Sequence, residues 1–349
     1  MDNDRSAEAR KTMIAIHAGL MEGMRAIKAE RGETFIYDVQ TDTFVGGGAL
    51  RDSGAGHYII EDPLFTLAPP VILPAAIYLT IMQGGVQPYN MIVEESNTTM
   101  EEAFTHGMED AIKQFIERKI PKNYYFLSVV MQHMGLLALE PGEEMPILGE
   151  GEANSYQELK DMQFLSYNML NWMDAVARGE GIKDVINNEI TLISPENVKK
   201  LQDMLRHNVT DGLANGANSN IVPISGLTYV SQRDKEWRRN ISFCGYFPSD
   251  KPEYGIYIEL IRQEQIEDPV KKDWPELGKG AAMVCKTIAE IFVEQGKKHL
   301  QTINDEPVTE AETGNEDSSY VPIVKAGRVQ SVDGIGITIS YTDTGNDSD

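Results

Sequence analysis

The sequence predicts an α+β fold: a five-stranded, mostly antiparallel sheet with helices on both faces. Two observations carry this. Strand-like segments gather near both ends, with two before residue 51 and three between residues 221 and 261. Stretches with helical character fill the interval, and one long helical stretch follows it.

In order along the chain, residues 12–30 place Ile16, Leu20, Met24 and Ile27 at helical spacing. GETFIYDVQTDTFVGGGAL (32–50) reads as two strands joined by a polar turn at Gln40–Thr43, and RDSGAGH (51–57) as a glycine-rich loop. A helix starts at Pro74, where a missing N–H costs nothing, and stops at Gly84-Gly85. Residues 99–118, 121–139 and 155–178 read as helices. Ser194-Pro195-Glu196-Asn197 has the side-chain acceptor and N1 proline that open another.

Three strands in series follow, IVPISGLTYVS, RRNISFCGYF and GIYIELI, joined by the polar turns QRDKEW and PSDKPEY. ELGKGAAMVCKTIAEIFVEQGKK is a long helix with Val284, Ile288, Ile291 and Phe292 on one face. That helix and the first are expected on one face of the sheet. The main domain is expected over residues 1–300. Residues 301–319 hold six acidic and no basic residues, the composition of a disordered linker, and 320–349 form a short tail with a small β unit.

Composition narrows the function. The 349 residues are 41% hydrophobic and 24% charged, which suits one large soluble domain with a small appendage. A net charge of −23, with no basic cluster interleaved with aromatics, speaks against nucleic acid and anionic membranes as partners. The sequence as written shows no leader or membrane-spanning run, so the expectation is a chain without membrane insertion, cytoplasmic as written or extracytoplasmic if it is a fragment of a longer product. Cys244 and Cys285 read as buried free thiols, with a single disulfide left open. No cofactor or metal is expected, and none of the six histidines pairs with another at ligand spacing. Glu94-Glu95 and Glu143-Glu144 read as solvated charge, and Gly46-Gly47-Gly48 lacks the following helix of a phosphate cradle.

Four segments carry a family resemblance. ISFCGYFPSDKPEY (241–254) resembles the stretch of class B penicillin-binding proteins that reads roughly S-F-x-G-Y-x-P-x-x-x-P-x-Y. LGKGAAMVCKTIAEIF (277–292) resembles the helix that follows it there, and ETFIYDVQTDTFVGGGAL (33–50) their first strand pair. FLSYNMLNWMDAVARGEGI (164–182) resembles a segment reading like G-Y-G-x-x-x-T-P-x-Q and its helix. The order matches, over roughly residues 12–295. The resemblance implies the fold shared by penicillin-binding transpeptidases and serine β-lactamases. It also implies a peptidoglycan D,D-transpeptidase of the division type, working outside the cytoplasmic membrane.

The chemistry this family needs is absent where the resemblance would place it. Its Ser-x-x-Lys nucleophile and base fall on Pro70 and Leu73, inside LAPPVILPAA (67–76), which has no Ser, Thr, Cys or Lys. A proline at the serine position also removes an oxyanion N–H, a donor worth about 3 kcal/mol. The Ser-x-Asn motif falls on Gly107 and Glu109 of AFTHGMEDAIKQF; the literal Ser166-Tyr167-Asn168 reads as a helix start. The Lys-Thr/Ser-Gly motif falls on Ile224-Ser225-Gly226, with Leu227 supplying the remaining oxyanion N–H.

The expected function is therefore that of a catalytically inactive transpeptidase-like protein, with no catalytic residues. Its role would be binding or scaffolding in peptidoglycan synthesis or cell division. Its partners would be a cell-wall or division protein, and a peptide or β-lactam held in the groove. The alternative is an active D,D-transpeptidase or acyltransferase with non-standard residues, Ser225 or Ser166 as nucleophile.

Overall fold

The computed structural model describes residues 2–54, 57–63, 67–83, 92–93, 97–120, 127, 130–136, 156, 159–160, 162–232, 238–263 and 274–305. The chain divides into two compact units, Met1–Glu294 and Gln295–Asp349. The sheet and the cavity belong to the first.

The labelled elements, in chain order, are α1 (Asp2–Ile27), β1 (Arg31–Asp38), β2 (Thr43–Gly54), β3 (His57–Glu61), α2 (Leu73–Gln83), α3 (Met100–Thr105) and α4 (Glu109–Lys119). There follow α5 (Ser166–Arg178), α6 (Pro195–Thr210), β4 (Ser225–Gln232), β5 (Arg238–Phe247), β6 (Tyr254–Gln263) and α7 (Trp274–Asp305). The strands form one six-stranded sheet in the order β4-β5-β6-β1-β2-β3, antiparallel at every step.

The expected five strands are thus six. β2 runs on to Gly54 through most of the segment read as a loop, and β3 returns beside it with Leu50 opposite Ile60. β3 is short and sits at the sheet edge with Ile60 64% exposed, so no two-sided burial pattern announces it. α1 begins ten residues before the predicted 12, and ends before Lys28, whose φ is +56°.

Side-chain alternation sends neighbours on a strand to opposite faces. Ile256, Ile258 and Leu260 of β6, Ile36 of β1 and Phe243 of β5 face α1 and α7, joining Ile16, Leu20, Met24, Val284 and Ile288 in one core. Tyr257, Phe35, Tyr37, Cys244 and Tyr246 face the other way, into a second core with α2, α5 and α6. Helices therefore cover both faces, with α1 and α7 together on one, as the sequence implied. The approach of α1 to α7 requires glycine: a Cβ on Gly23 would lie 2.3 Å from Val284 Cγ2 and 2.6 Å from the Gly280 carbonyl.

The predicted helix over 99–118 is two helices. Thr99 caps α3 through a reciprocal pair with Glu102, and the chain then turns at Gly107, φ +61°, before α4. In 155–178, Tyr156, Leu159 and Lys160 are helical and α5 takes up the end of the stretch, while Phe164–Leu165 between them pairs with Leu67–Ala68. α5 stops at Gly179 in the left-handed conformation, and α6 starts where expected, with Ser194 accepting from the Asn197 N–H at 3.3 Å. Residues 301–305, expected in the acidic linker, end α7, while the rest of the linker and the tail fall outside the described residues. So does most of the predicted helix 121–139.

Candidate functional site

A cavity of about 260 Å³ opens beside β4, the edge strand opposite β3. Leu227, Thr228, Tyr229 and Val230 of that strand form one wall. Pro74 at the start of α2 borders it, as do His106, Gly107 and Glu109 at the α3–α4 turn and Met204 and Asn208 of α6. The turn at Gly107 brings that wall in; a Cβ there would meet Leu213 at 2.5 Å.

Of the eight positions taken from the sequence, Gly107, Glu109 and Leu227 border the cavity. Pro70 and Leu73 are buried and do not border it, whereas Pro74 does. Ile224 is 3% exposed and belongs to the core on the α1/α7 face. Ser225 is fully buried, and Gly226 packs against Phe243 and Gly245 of β5. The stretch of β4 at the cavity begins at Leu227, immediately after the predicted triplet. Leu227-Thr228-Tyr229 there offers a hydroxyl, with neither the cation nor the glycine of a Lys-Thr/Ser-Gly motif.

A cation reaches the cavity from elsewhere. Lys160 borders it, with its side chain 9% exposed, and its Nζ donates to Glu109 Oε1 at 2.6 Å. The Nζ also lies 5.8 Å from the centre of the Tyr156 ring, and the Tyr229 hydroxyl donates to the Lys160 carbonyl at 3.4 Å. Sequence reading missed Lys160 because its partner is 51 residues away. The available signal was a lysine beside Leu159, which is fully buried, in the apolar stretch LKDMQFL.

The alternative nucleophiles are sealed off. Ser166, at the start of α5, is 1% exposed and Ser225 is 0% exposed; neither borders the cavity. Cys244 and Cys285 are free thiols buried in different cores, and burial pushes both thiols well up, away from the reactive thiolate. Two histidines pair with carboxylates: His207 with Glu101 at 2.6 Å and His133 with Asp184 at 2.9 Å. Burial would raise the Asp184 carboxyl, but the N–H groups of Ile186 and Asn187 and the His133 ring bring it below its usual value. Among the described residues there is no group of three metal-ligating side chains, and no helix is long and apolar enough to cross a membrane.

Asp174 of α5 stands apart from the cavity. It is fully buried, and neither carboxyl oxygen has a hydrogen-bond partner among the described residues. Its Oδ1 lies over Gly255 of β6, in space that a Cβ there would fill. Burial holds this carboxyl well above its ordinary range, Arg178 opposes the shift, and Asp42 and Asp38 add to it.

No family model matches the chain, and no curated protein matches it. Solved structures do. The transpeptidase domain of the FtsI4 D,D-transpeptidase from Legionella pneumophila superposes with a TM-score of 0.60 at 12% identity, over 81% of this chain and 96% of that one. Penicillin-binding protein 3 from Mycobacterium tuberculosis gives 0.61 at 13% identity, over 82% and 78%. The transpeptidase domain of Burkholderia pseudomallei penicillin-binding protein 3 gives 0.58 at 14%, over 86% and 97%. The likeness is one of architecture: this chain has the fold of a penicillin-binding-protein transpeptidase domain.

Proposed function

We propose that this chain is a binding or scaffolding protein of peptidoglycan synthesis or cell division that performs no acyl transfer. One observation supports this above the others. Among the described residues, no serine or cysteine borders the cavity, and the lysine that does is engaged by Glu109. An acyl-enzyme needs a nucleophile with a base beside it and donors for the oxyanion. The threonine at the wall, Thr228, lies against Gly278 of α7. In this reading the groove holds a peptide or a β-lactam without cleaving it, and the partner is a cell-wall or division protein.

The reading that keeps acyl transfer, with Ser225 or Ser166 as nucleophile, needs a fully buried hydroxyl to reach substrate. The two readings separate on treatment with a fluorescent β-lactam, followed by gel fluorescence and intact-protein mass spectrometry. The expected result is unlabelled protein at its unmodified mass. A stable adduct overturns the proposal.

A further inference from the structure

The Lys160–Glu109 pair is asymmetric in a way that suits a removable partner. Lys160 is nearly enclosed, with 9% of its side chain exposed, whereas Glu109 keeps 43% of its own in solvent. Glu109 can therefore swing out into water at little cost, while Lys160 stays where it is. Glu109 also opens α4, whose N-terminal N–H groups favour a carboxylate whether or not it touches Lys160. The rest of the wall is mostly apolar, with Phe104, Ile112, Met204, Leu213, Leu227 and Val230. An engineered apolar cavity of about 150 Å³ takes up benzene. The 260 Å³ here has room for such a ring and a short chain besides.

We propose that the cavity binds a small apolar carboxylate, whose charged end displaces Glu109 from Lys160 while its apolar body fills the space beside β4. The Glu109 side chain is then a built-in stand-in for the ligand's own carboxylate. This rests on the reading of the groove as a non-acylating binding site and names the ligand class that site would take. Binding is a reversible exchange of one ion pair for another, with no covalent step.

The probe is 3-phenylpropionate, followed by titration calorimetry and by ligand-observed NMR, against its neutral amide on the same protein. The acid is expected to bind and the amide to bind at least about tenfold more weakly, since the amide lacks the charge that faces Lys160. Glu109→Gln removes the competing carboxylate, and the acid is expected to bind it about fivefold tighter or more. Lys160→Met is expected to abolish the preference for acid over amide. If Lys160→Met fails to fold, the Glu109→Gln titration decides alone. Equal binding of acid and amide, binding of neither, or a Glu109→Gln protein no tighter than the parent overturns the proposal. None of these results depends on β-lactam labelling, so a failed probe leaves the non-acylating reading standing. A β-lactam adduct would sink that reading whatever the probe does.

Discussion

On the α1/α7 side of the sheet, Ile36, Phe243, Ile256, Ile258 and Leu260 meet Ile16, Leu20, Met24 and Val284 in one apolar core. The opposite side mixes Phe35, Tyr37 and Cys244 with buried polar groups: Glu33, Asn240, Ser242, Glu259 and Asp174. There Glu33 and Glu259 stand opposite each other on β1 and β6, and Glu259 accepts hydrogen bonds from Asn240 and from the Tyr257 hydroxyl. Burying polar groups costs stability unless each is satisfied. The first face, where Thr34 and Arg239 are the buried polar groups of β1 and β5, is therefore the more apolar, and the second spends more of its stability on polar groups and a cavity.

The largest test of this comparison strikes the first face. Gly23→Val inserts a branched side chain where even a Cβ would overlap Val284 and the Gly280 carbonyl. The Gly280 carbonyl is backbone, so relief requires moving a helix. The expected loss is about 3 kcal/mol in urea unfolding, at the upper end of what overpacking costs. A loss below about 1 kcal/mol would mean that the α1/α7 contact is not tightly packed, and the comparison would fail on its stronger side.

A mutation on the second face should act in the opposite direction. Asp174 is buried without a hydrogen-bond partner among the described residues, so Asp174→Asn, which cannot ionise, is expected to stabilise the chain at neutral pH by about 2 kcal/mol. The sign follows from proton uptake. A raised pKa means that the folded chain keeps a proton which the unfolded chain releases near the ordinary value of 3.8. The group's contribution to folding is fully present below that value and is lost as pH rises towards the raised one. Urea midpoints measured upward from about pH 4 should fall more steeply for the parent than for Asp174→Asn. Parallel curves would show that Asp174 is satisfied in solution and that the second face bears no such cost.

The two faces also differ in how far the sequence revealed them. Apolar residues at Ile256, Ile258 and Leu260, and at Ile16, Leu20 and Met24, repeat with the periods of strand and helix, so the first face could be read directly. The α6 start was equally plain, because Ser194 and Pro195 act within one turn. The bend at Gly107 was not, because the Leu213 side chain that crowds it, beside its own φ of +61°, lies over a hundred residues away. Placing the strand triplet by local similarity put it at 224–226, on residues that pack into the sheet; only the geometry of β4 shows that 227–230 form the wall. Lys160 and Glu109 were both visible as residues, but nothing local marks them as a pair.

That pair gives the smallest effect and the finest test. If Glu109 is a removable partner, the two halves of the ion pair should be unequal under mutation. Lys160→Met removes the enclosed charge and leaves a half-exposed carboxylate that water can solvate, so stability should change by no more than about 0.5 kcal/mol. Glu109→Gln instead leaves an ammonium enclosed with a weaker partner, which should cost about 1 kcal/mol. The inequality follows from the exposures alone, 9% against 43%, and a pair buried equally at both ends would lack it. Urea unfolding of both variants and the double variant measures the two costs and their coupling. If Lys160→Met proves the more damaging, Lys160 serves as a structural brace for the α3–α4 turn. The second face would then hold its cavity open by a rigid pair, without the exchangeable partner that ligand binding requires.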